Sequence, residues 1–166
     1  MINIFLILLV LCLLFLLNFK YKLLKNELFN LKIEYKRLYV FQTYHDKSLI
    51  PQKVYNNIKE YAPNYIHKIY NDNECKKFIL KEYGEKYFNV FNSLKKGAHK
   101  ADLWRYCILY KYGGVYLDIK TKLIKNIDKI FIDKTKMYIV ESNNGYTIHN
   151  GIIYSPPKNK LFLYLI

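Results

Sequence analysis

Two residues three apart, Asp102 and Arg105, and a second carboxylate sixteen positions after Asp102, Asp118, are the groups in this chain best placed to do chemistry together. They lie in GAHKADLWRYCILYKYGGVYLDIK, Gly97 to Lys120. On a helix, positions i and i+3 share a face, so Asp102 and Arg105 project together. Taken alone, such a pair is a common exposed ion pair that adds little stability. Its neighbours Leu103, Trp104, Tyr106, Ile108 and Leu109 are apolar, however, so the helix must pack on something. Gly113-Gly114 then breaks it and leads straight into Val115-Tyr116-Leu117-Asp118. Alternation along a strand sends Val115 and Leu117 one way and Tyr116 and Asp118 the other. An acid at the end of a buried strand carries a desolvation cost until it finds a partner. A ligand hydroxyl, a metal ion or Lys120, two residues on, would each serve.

For those groups to meet, a framework must bring the helix beside the strand end. Leu38-Tyr39-Val40-Phe41 is rich in β-formers and predicts a first strand, running into Gln42-Thr43-Tyr44-His45. Pro51 opens a predicted helix that ends before Pro63. Tyr65 to Tyr70 predicts a second strand, and Asn71-Asp72 caps a helix over 73–83 that stops at Gly84. The helix carrying Asp102 is predicted from about Lys100 to Lys111, and the strand ending in Asp118 follows. A turn near Asn126-Ile127-Asp128 precedes strands at Met137–Glu141 and Gly151–Ser155. Pro156-Pro157 ends the last strand, and a helix begins near Lys160. Strands alternating with helices predict an α/β domain with a mainly parallel sheet covered by helices on both faces. In such sheets ligands bind beyond the carboxyl ends of strands, where Asp118 falls.

The 166 residues suffice for one domain. They carry 27 Lys+Arg against 13 Asp+Glu, a formal charge of +14. That balance attracts polyanions. The lysines are spread along a chain rich in Asn, Ile, Tyr and Phe, as AT-biased coding produces, and no basic block marks a nucleic-acid patch. No nucleic-acid partner is expected. Residues 2–19 are an almost unbroken apolar run, about 27 Å long as a helix and close to the thickness of a bilayer's hydrocarbon core. No basic residue precedes the run and no Ala-x-Ala follows it, so residues 1–19 read as an uncleaved anchor rather than a signal peptide. Leu23, Leu24, Leu28, Leu31 and Ile33 among charges make 20–37 an amphipathic stem, and 38–166 is the folded domain. Lys20, Lys22 and Lys25 follow the anchor, which puts the domain on the cytosolic side. Of the three cysteines, Cys12 falls in the anchor. Cys75 and Cys107 sit among apolar neighbours on predicted helices and read as buried free thiols.

Asp102, Arg105, Gly113-Gly114 and Val115-Tyr116-Leu117-Asp118 resemble the glycosyltransferases with a DXD-type sugar-binding region. That family includes fungal α-1,6-mannosyltransferases and inositol-phosphoceramide mannosyltransferases. Val40-Phe41-Gln42-Thr43-Tyr44 resembles its opening strand, and Pro63-Asn64-Tyr65 through Asn71-Asp72 its second. Asn150 with Ile152-Ile153-Tyr154-Ser155-Pro156 resembles a later acceptor-side segment. The resemblance runs in order from Leu38 to the C-terminus. It implies a GT-A (Rossmann-like) fold and transfer of a hexose (mannose, glucose or galactose) from a nucleotide-diphosphate sugar to a glycan, lipid or protein acceptor. It also implies retention of anomeric configuration and the use of Mn²⁺ or Mg²⁺. Carried onto this chain, Gln42 would line the nucleotide pocket, and Asp102 and Arg105 would contact ribose and donor sugar. Asp118 would hold sugar or ribose, and Asn150 would sit near the transferred sugar. By the same resemblance the domain would face the Golgi lumen, against the charge asymmetry.

Two departures qualify the resemblance. The family's second aspartate, a metal ligand, is Lys120 here. One carboxylate, Asp118, makes a poor Mn²⁺ or Mg²⁺ site, whereas Lys120 or Lys122 is suited to neutralising a diphosphate directly. Family members also continue past the point matching Ile166, so the chain is expected to be short at its C-terminus. Two readings follow: an active, membrane-anchored glycosyltransferase, or an inactive domain of the same fold that binds a sugar nucleotide or a partner protein.

Overall fold

The structure, a computed structural model, describes residues 4–36, 38–143 and 145–166, and the side chains of 4–10 and 29–36 lie outside the description. The chain divides into two compact units, Met1–Arg37 and Leu38–Ile166. The first contains a single helix, α1 (Ile4–Lys36), whose described side chains from Leu11 to Leu28 are all exposed. The expected anchor falls partly on residues 1–3 and on side chains 4–10, outside the description. Among the described residues, no helix is long and apolar enough to cross a membrane.

The second unit is built from β1 (Tyr39–Thr43), α2 (Gln52–Tyr61), β2 (Ile66–Tyr70), α3 (Asp72–Tyr83), α4 (Glu85–Ser93), α5 (Gly97–Tyr112), β3 (Gly114–Leu117), β4 (Tyr138–Glu141), β5 (Ile148–Ser155) and α6 (Leu161–Leu165). Local chemistry explains most of these boundaries. Asn71 and Glu74 form a reciprocal capping box at the start of α3: the Glu74 amide donates to Asn71 Oδ1 at 3.0 Å, and the Asn71 amide to Glu74 Oε2 at 2.8 Å. Gly113, at φ +65°, caps α5 with its amide on the Leu109 carbonyl at 2.8 Å. Helix α4 was not anticipated from the sequence. Gly84, at φ +81°, turns the chain between α3 and α4, and Phe91 anchors α4 in the core.

The strand order is β2-β1-β3-β5-β4. Strands β1, β2 and β3 pair in parallel, whereas β5 is antiparallel to both β3 and β4. The sheet is therefore mixed, which corrects the expectation of a mainly parallel one. The reason is the short link of six residues from β4 to β5, which closes a hairpin and cannot supply a crossover.

The coverage of the two faces is also unequal. On one face Tyr39, Phe41, Tyr116 and Ile153 pack against Phe78, Phe91, Trp104, Ile108 and Phe162 from helices α3 to α6. On the other, Val40, Val115, Leu117 and Tyr154 meet α2 through Ile58. There Leu123, Ile127 and Phe131 of the irregular segment 119–136 take the place of a second helix. Each such large side chain, fully buried, contributes about 1.5–3 kcal/mol. Cys75 and Cys107 are free and buried, as expected, and burial pushes each thiol up to about 12.

Candidate functional site

The chain from β1 crosses through α2 to one face of the sheet, and the chain from β2 crosses through α3, α4 and α5 to the other. Between β1 and β3 the two crossovers diverge, and a crevice opens beyond the carboxyl ends of those strands. The structure brings Asp102, Arg105 and Asp118 together there. Arg105 is 5% exposed although fully charged. Its Nη2 lies 3.4 Å from Asp102 Oδ1 and 3.5 Å from Asp118 Oδ1. Its Nε donates to the Ala101 carbonyl at 3.2 Å, and its Nη1 donates to the Asn150 carbonyl. The guanidinium also lies over the Tyr116 ring, 4.3 Å from its centre. A buried cation with so many partners holds other groups in place and has little left to offer a ligand.

Asp118 is tethered from every side. Its amide donates to the Gly151 carbonyl at 2.8 Å, which extends the β3–β5 pairing one residue past β3. Its Oδ1 accepts from the Tyr116 hydroxyl at 2.9 Å, and burial pushes the Tyr116 phenol far above its ordinary value. Its carbonyl accepts from Gln42 Nε2 at 3.3 Å. The carboxylate itself remains 44% exposed. It faces a cavity of about 460 Å³ whose walls include Thr43, Tyr44, His45, Asp72, Cys75, Arg105 and Lys120. A fixed, half-exposed carboxylate opening on a cavity can accept hydrogen bonds from ligand hydroxyls without having to be ordered first.

The remaining candidates fall elsewhere. Lys120 is exposed on the wall of that cavity. Asn150, half-buried on β5, enters the cluster through its backbone carbonyl. Lys122 lines a different cavity, on the α2 side. Gln42 is fully buried and lines neither cavity; its Oε1 lies 2.8 Å from His67 Nε2. Because Gln42 Nε2 is committed to Asp118, the amide oxygen must accept, and His67 Nε2 carries the proton.

Gly151, expected from the sequence only as the start of a strand, borders the Asp118 carboxylate. A Cβ there would stand 2.7 Å from Asp118 Oδ2 and 2.5 Å from His149 Nε2, so only glycine leaves the carboxylate its place. A glycine directly after a candidate site residue, Asn150, was the available signal.

The His67 ring has a pH consequence. Burial lowers its pKa from 6.5 to about 4. Because the folded value is the depressed one, the unfolded chain takes up a proton below pH 6.5 that the folded chain refuses. Stability is full above that pH and falls as pH drops towards 4. Urea unfolding at pH 7 and pH 5 should show this loss, and His67→Gln, which can still donate to Gln42, should lose less between the two. An equal fall in both proteins would remove His67 from the account.

Comparison with known proteins agrees with this geometry. Residues 50–137 match the family model described as "Glycosyltransferase sugar-binding region containing DXD motif". Asp102, Arg105, Asp118 and Lys120 lie inside that match, while Gln42 and Asn150 lie outside it. The chain is 33% identical over 98 residues to the initiation-specific alpha-1,6-mannosyltransferase of Candida albicans, covering 58% of this chain and 25% of that protein. It is 25% identical over 115 residues to an uncharacterized glycosyltransferase of Acanthamoeba polyphaga mimivirus, covering 69% and 46%. With a mannosyl phosphorylinositol ceramide synthase of Saccharomyces cerevisiae it shares 28% over 134 residues, covering 76% and 33%. The chain thus spans between a quarter and about half the length of these relatives. No solved structure matches it. With more than half of its residues inside the family match and the motif's helix, glycine turn and strand end assembled around one crevice, the chain belongs to the glycosyltransferases with a DXD-type sugar-binding region.

Proposed function

We propose that this chain binds a nucleotide-diphosphate sugar in the cavity at Asp118 and transfers its hexose (mannose, glucose or galactose) to a glycan, lipid or protein acceptor, with retention at the anomeric carbon. The observation that carries the reading is the single guanidinium of Arg105, within 3.5 Å of both Asp102 and Asp118. It holds Asp118, which lines the cavity, in place, with Asp102 on the same guanidinium outside that lining. In the transfer, the bond from the anomeric carbon to the diphosphate oxygen breaks and its electron pair leaves with the diphosphate. The acceptor hydroxyl oxygen forms the new bond to the anomeric carbon, and its proton passes to the departing diphosphate oxygen. Charge therefore builds on the leaving diphosphate, and a cation placed beside it lowers the barrier. Lys120, on the cavity wall, is the residue suited to that role as a point charge.

The family often employs a divalent metal, but the donor set here does not fit one. Asp102 and Asp118 already share the Arg105 guanidinium, and the position of a further carboxylate ligand is an ammonium. Donor binding is accordingly expected to be nearly insensitive to EDTA, and Lys120→Asp should make it depend on Mn²⁺. Titration calorimetry with UDP-glucose and GDP-mannose, with and without Mn²⁺, measures both. A native protein that loses all donor binding in EDTA would show that other residues hold a metal. The same titrations, followed by a donor-hydrolysis assay, test the function. Binding with turnover supports transfer. Binding without turnover supports the second reading, an inactive sugar-nucleotide-binding domain, which the Lys120 replacement favours.

The apolar run over residues 2–19 supports an uncleaved membrane anchor, and Lys20, Lys22 and Lys25 support a cytosolic domain. After carbonate extraction the protein should stay in the membrane pellet at full mass. Release at a shortened mass would argue against the anchor.

A further inference from the structure

Strand β5 carries an imidazole to the Asp118 carboxylate. The pairing of β4 with β5 runs from Tyr138 with Tyr154 to Ile139 with Ile153, and then jumps to Val140 with His149. Asn150, Gly151 and Ile152 therefore form a bulge that β4 does not match. On its other side the bulge is held. Ile152 pairs with Leu117, the Gly151 carbonyl accepts the Asp118 amide at 2.8 Å, and the Asn150 carbonyl accepts from Arg105 Nη1. Bulges re-aim the side chains beside them. Here that side chain is His149, which bends over Gly151 towards Asp118. Its Nε2 and Asp118 Oδ2 stand 2.5 Å and 2.7 Å from one point, the place a Cβ on Gly151 would take.

The two atoms are thus no farther apart than those two distances laid end to end. Nor do they touch. An ion pair would need 4.0 Å or less, and among the described residues none joins His149 to an acid. A hydroxyl oxygen with hydrogen bonds of about 2.8 Å to two partners, set at the tetrahedral angle, holds them about 4.6 Å apart, which falls between these limits. The other oxygen of the carboxylate is already committed, since Oδ1 accepts from the Tyr116 hydroxyl and faces Arg105 Nη2. Oδ2 is left to face the gap. His149 is exposed and stands outside the walls of the cavity that Asp118 lines, so the gap lies at the rim of that cavity.

We propose that Asp118 Oδ2 and His149 Nε2 form a two-point clasp for one hydroxyl group of the hexose. An ionised carboxylate only accepts, so the hydroxyl donates its proton to Oδ2 and receives the Nε2 proton on its own lone pair. A sugar that lacks this hydroxyl, or carries it on the other face of the ring, loses both bonds at once, which makes His149 a sugar-selecting residue. Assigning the hydroxyl to the donor hexose rests on reading the Asp118 cavity as the donor site. The clasp itself does not.

The test is titration calorimetry on the full chain with UDP-glucose, GDP-mannose, UDP and GDP, beside a thermal unfolding scan. His149→Ala changes an exposed side chain and should unfold at the native temperature. It should bind nucleotide sugar about three- to tenfold more weakly, as the loss of one hydrogen bond implies. Its affinity for the bare nucleoside diphosphate should stay native, which separates contact with the sugar from a change in the shape of the site. His149→Gln, whose amide nitrogen donates as Nε2 does, should recover most of the loss. In Asp118→Asn/His149→Ala the combined loss should fall short of the product of the single losses, because both residues hold one hydroxyl. Native nucleotide-sugar affinity in His149→Ala overturns the clasp and leaves the donor reading standing. So does an equal loss with the bare nucleoside diphosphate, or a full product in the combined variant. If no nucleotide sugar binds the native protein, the donor reading fails, and NMR titration of the His149 ring with methyl glucoside and methyl mannoside decides the clasp by itself. Shifts that Asp118→Asn abolishes uphold it. A ring that does not respond, or that responds equally in both proteins, overturns it.

Discussion

Asp118→Asn is expected to fold as the native chain does and to bind nucleotide sugar ten- to a hundredfold more weakly. The substitution keeps the volume of the side chain, and an amide oxygen can still accept from the Tyr116 hydroxyl. The ion pair it removes is partly exposed, with the Asp118 carboxylate 44% open to solvent, so the effect on stability should stay within about 1 kcal/mol. Arg105 keeps Asp102, the Asn150 carbonyl and the Tyr116 ring. What the variant loses is the charge of a carboxylate accepting hydrogen bonds from the ligand. Such a bond is worth about 1.5–3 kcal/mol, which sets the stated range. Calorimetric titration beside a thermal unfolding scan separates the two effects. Native-level donor affinity in a folded Asp118→Asn protein would take Asp118 out of the site.

A large loss of stability is expected at Gly114. Gly114→Ala places a Cβ 2.7 Å from the Tyr39 carbonyl oxygen, and that atom belongs to the backbone of β1, so no side chain can swing away. Relief would require β3 to move away from β1 where the two strands pair. The residue also has φ +101°, a conformation that alanine avoids at a cost of about 1–3 kcal/mol. With the contact added, about 3 kcal/mol or more is expected. Gly84→Ala supplies the comparison: φ is +81°, but nothing lies within 4 Å of the added methyl. It should show the conformational cost alone. If urea unfolding gives the same loss for both, close approach to Tyr39 contributes nothing. Because Asp118 lies at the far end of the same strand, a Gly114→Ala protein that still folds should also bind donor more weakly.

These expectations draw on different layers of information. Elements with a local chemical signal were legible in the sequence: the Asn71 cap of α3, the Gly113 stop of α5, and the alternation that sends Asp118 to the Tyr116 side of its strand. Each depends on atoms within a few residues, and so does the shared helix face of Asp102 and Arg105. Helix α4 was missed because its signal is Gly84 at one end and a few spaced aromatics, which gain meaning only once Phe91 has a core to enter. The sheet's mixed character was decided by the short β4–β5 hairpin together with the pairing of β5 on β3, whose partners, such as Gly114 and Ser155, lie far apart in the chain. Gln42 shows the limit most plainly. Its type and its place beside a strand end fit a pocket residue, yet the strand's twofold alternation turns it inward to His67 and the Asp118 backbone. Gly151 and His149 likewise took on meaning only when β5 came to rest beside Asp118. Residue type and spacing determined which groups were able to act, since those are properties of neighbours along the chain. Which of them meet, and which are used up in holding the others, was decided by packing between distant segments, because a contact such as that of Gln42 with Asp118, 76 residues apart, leaves no trace in local periodicity.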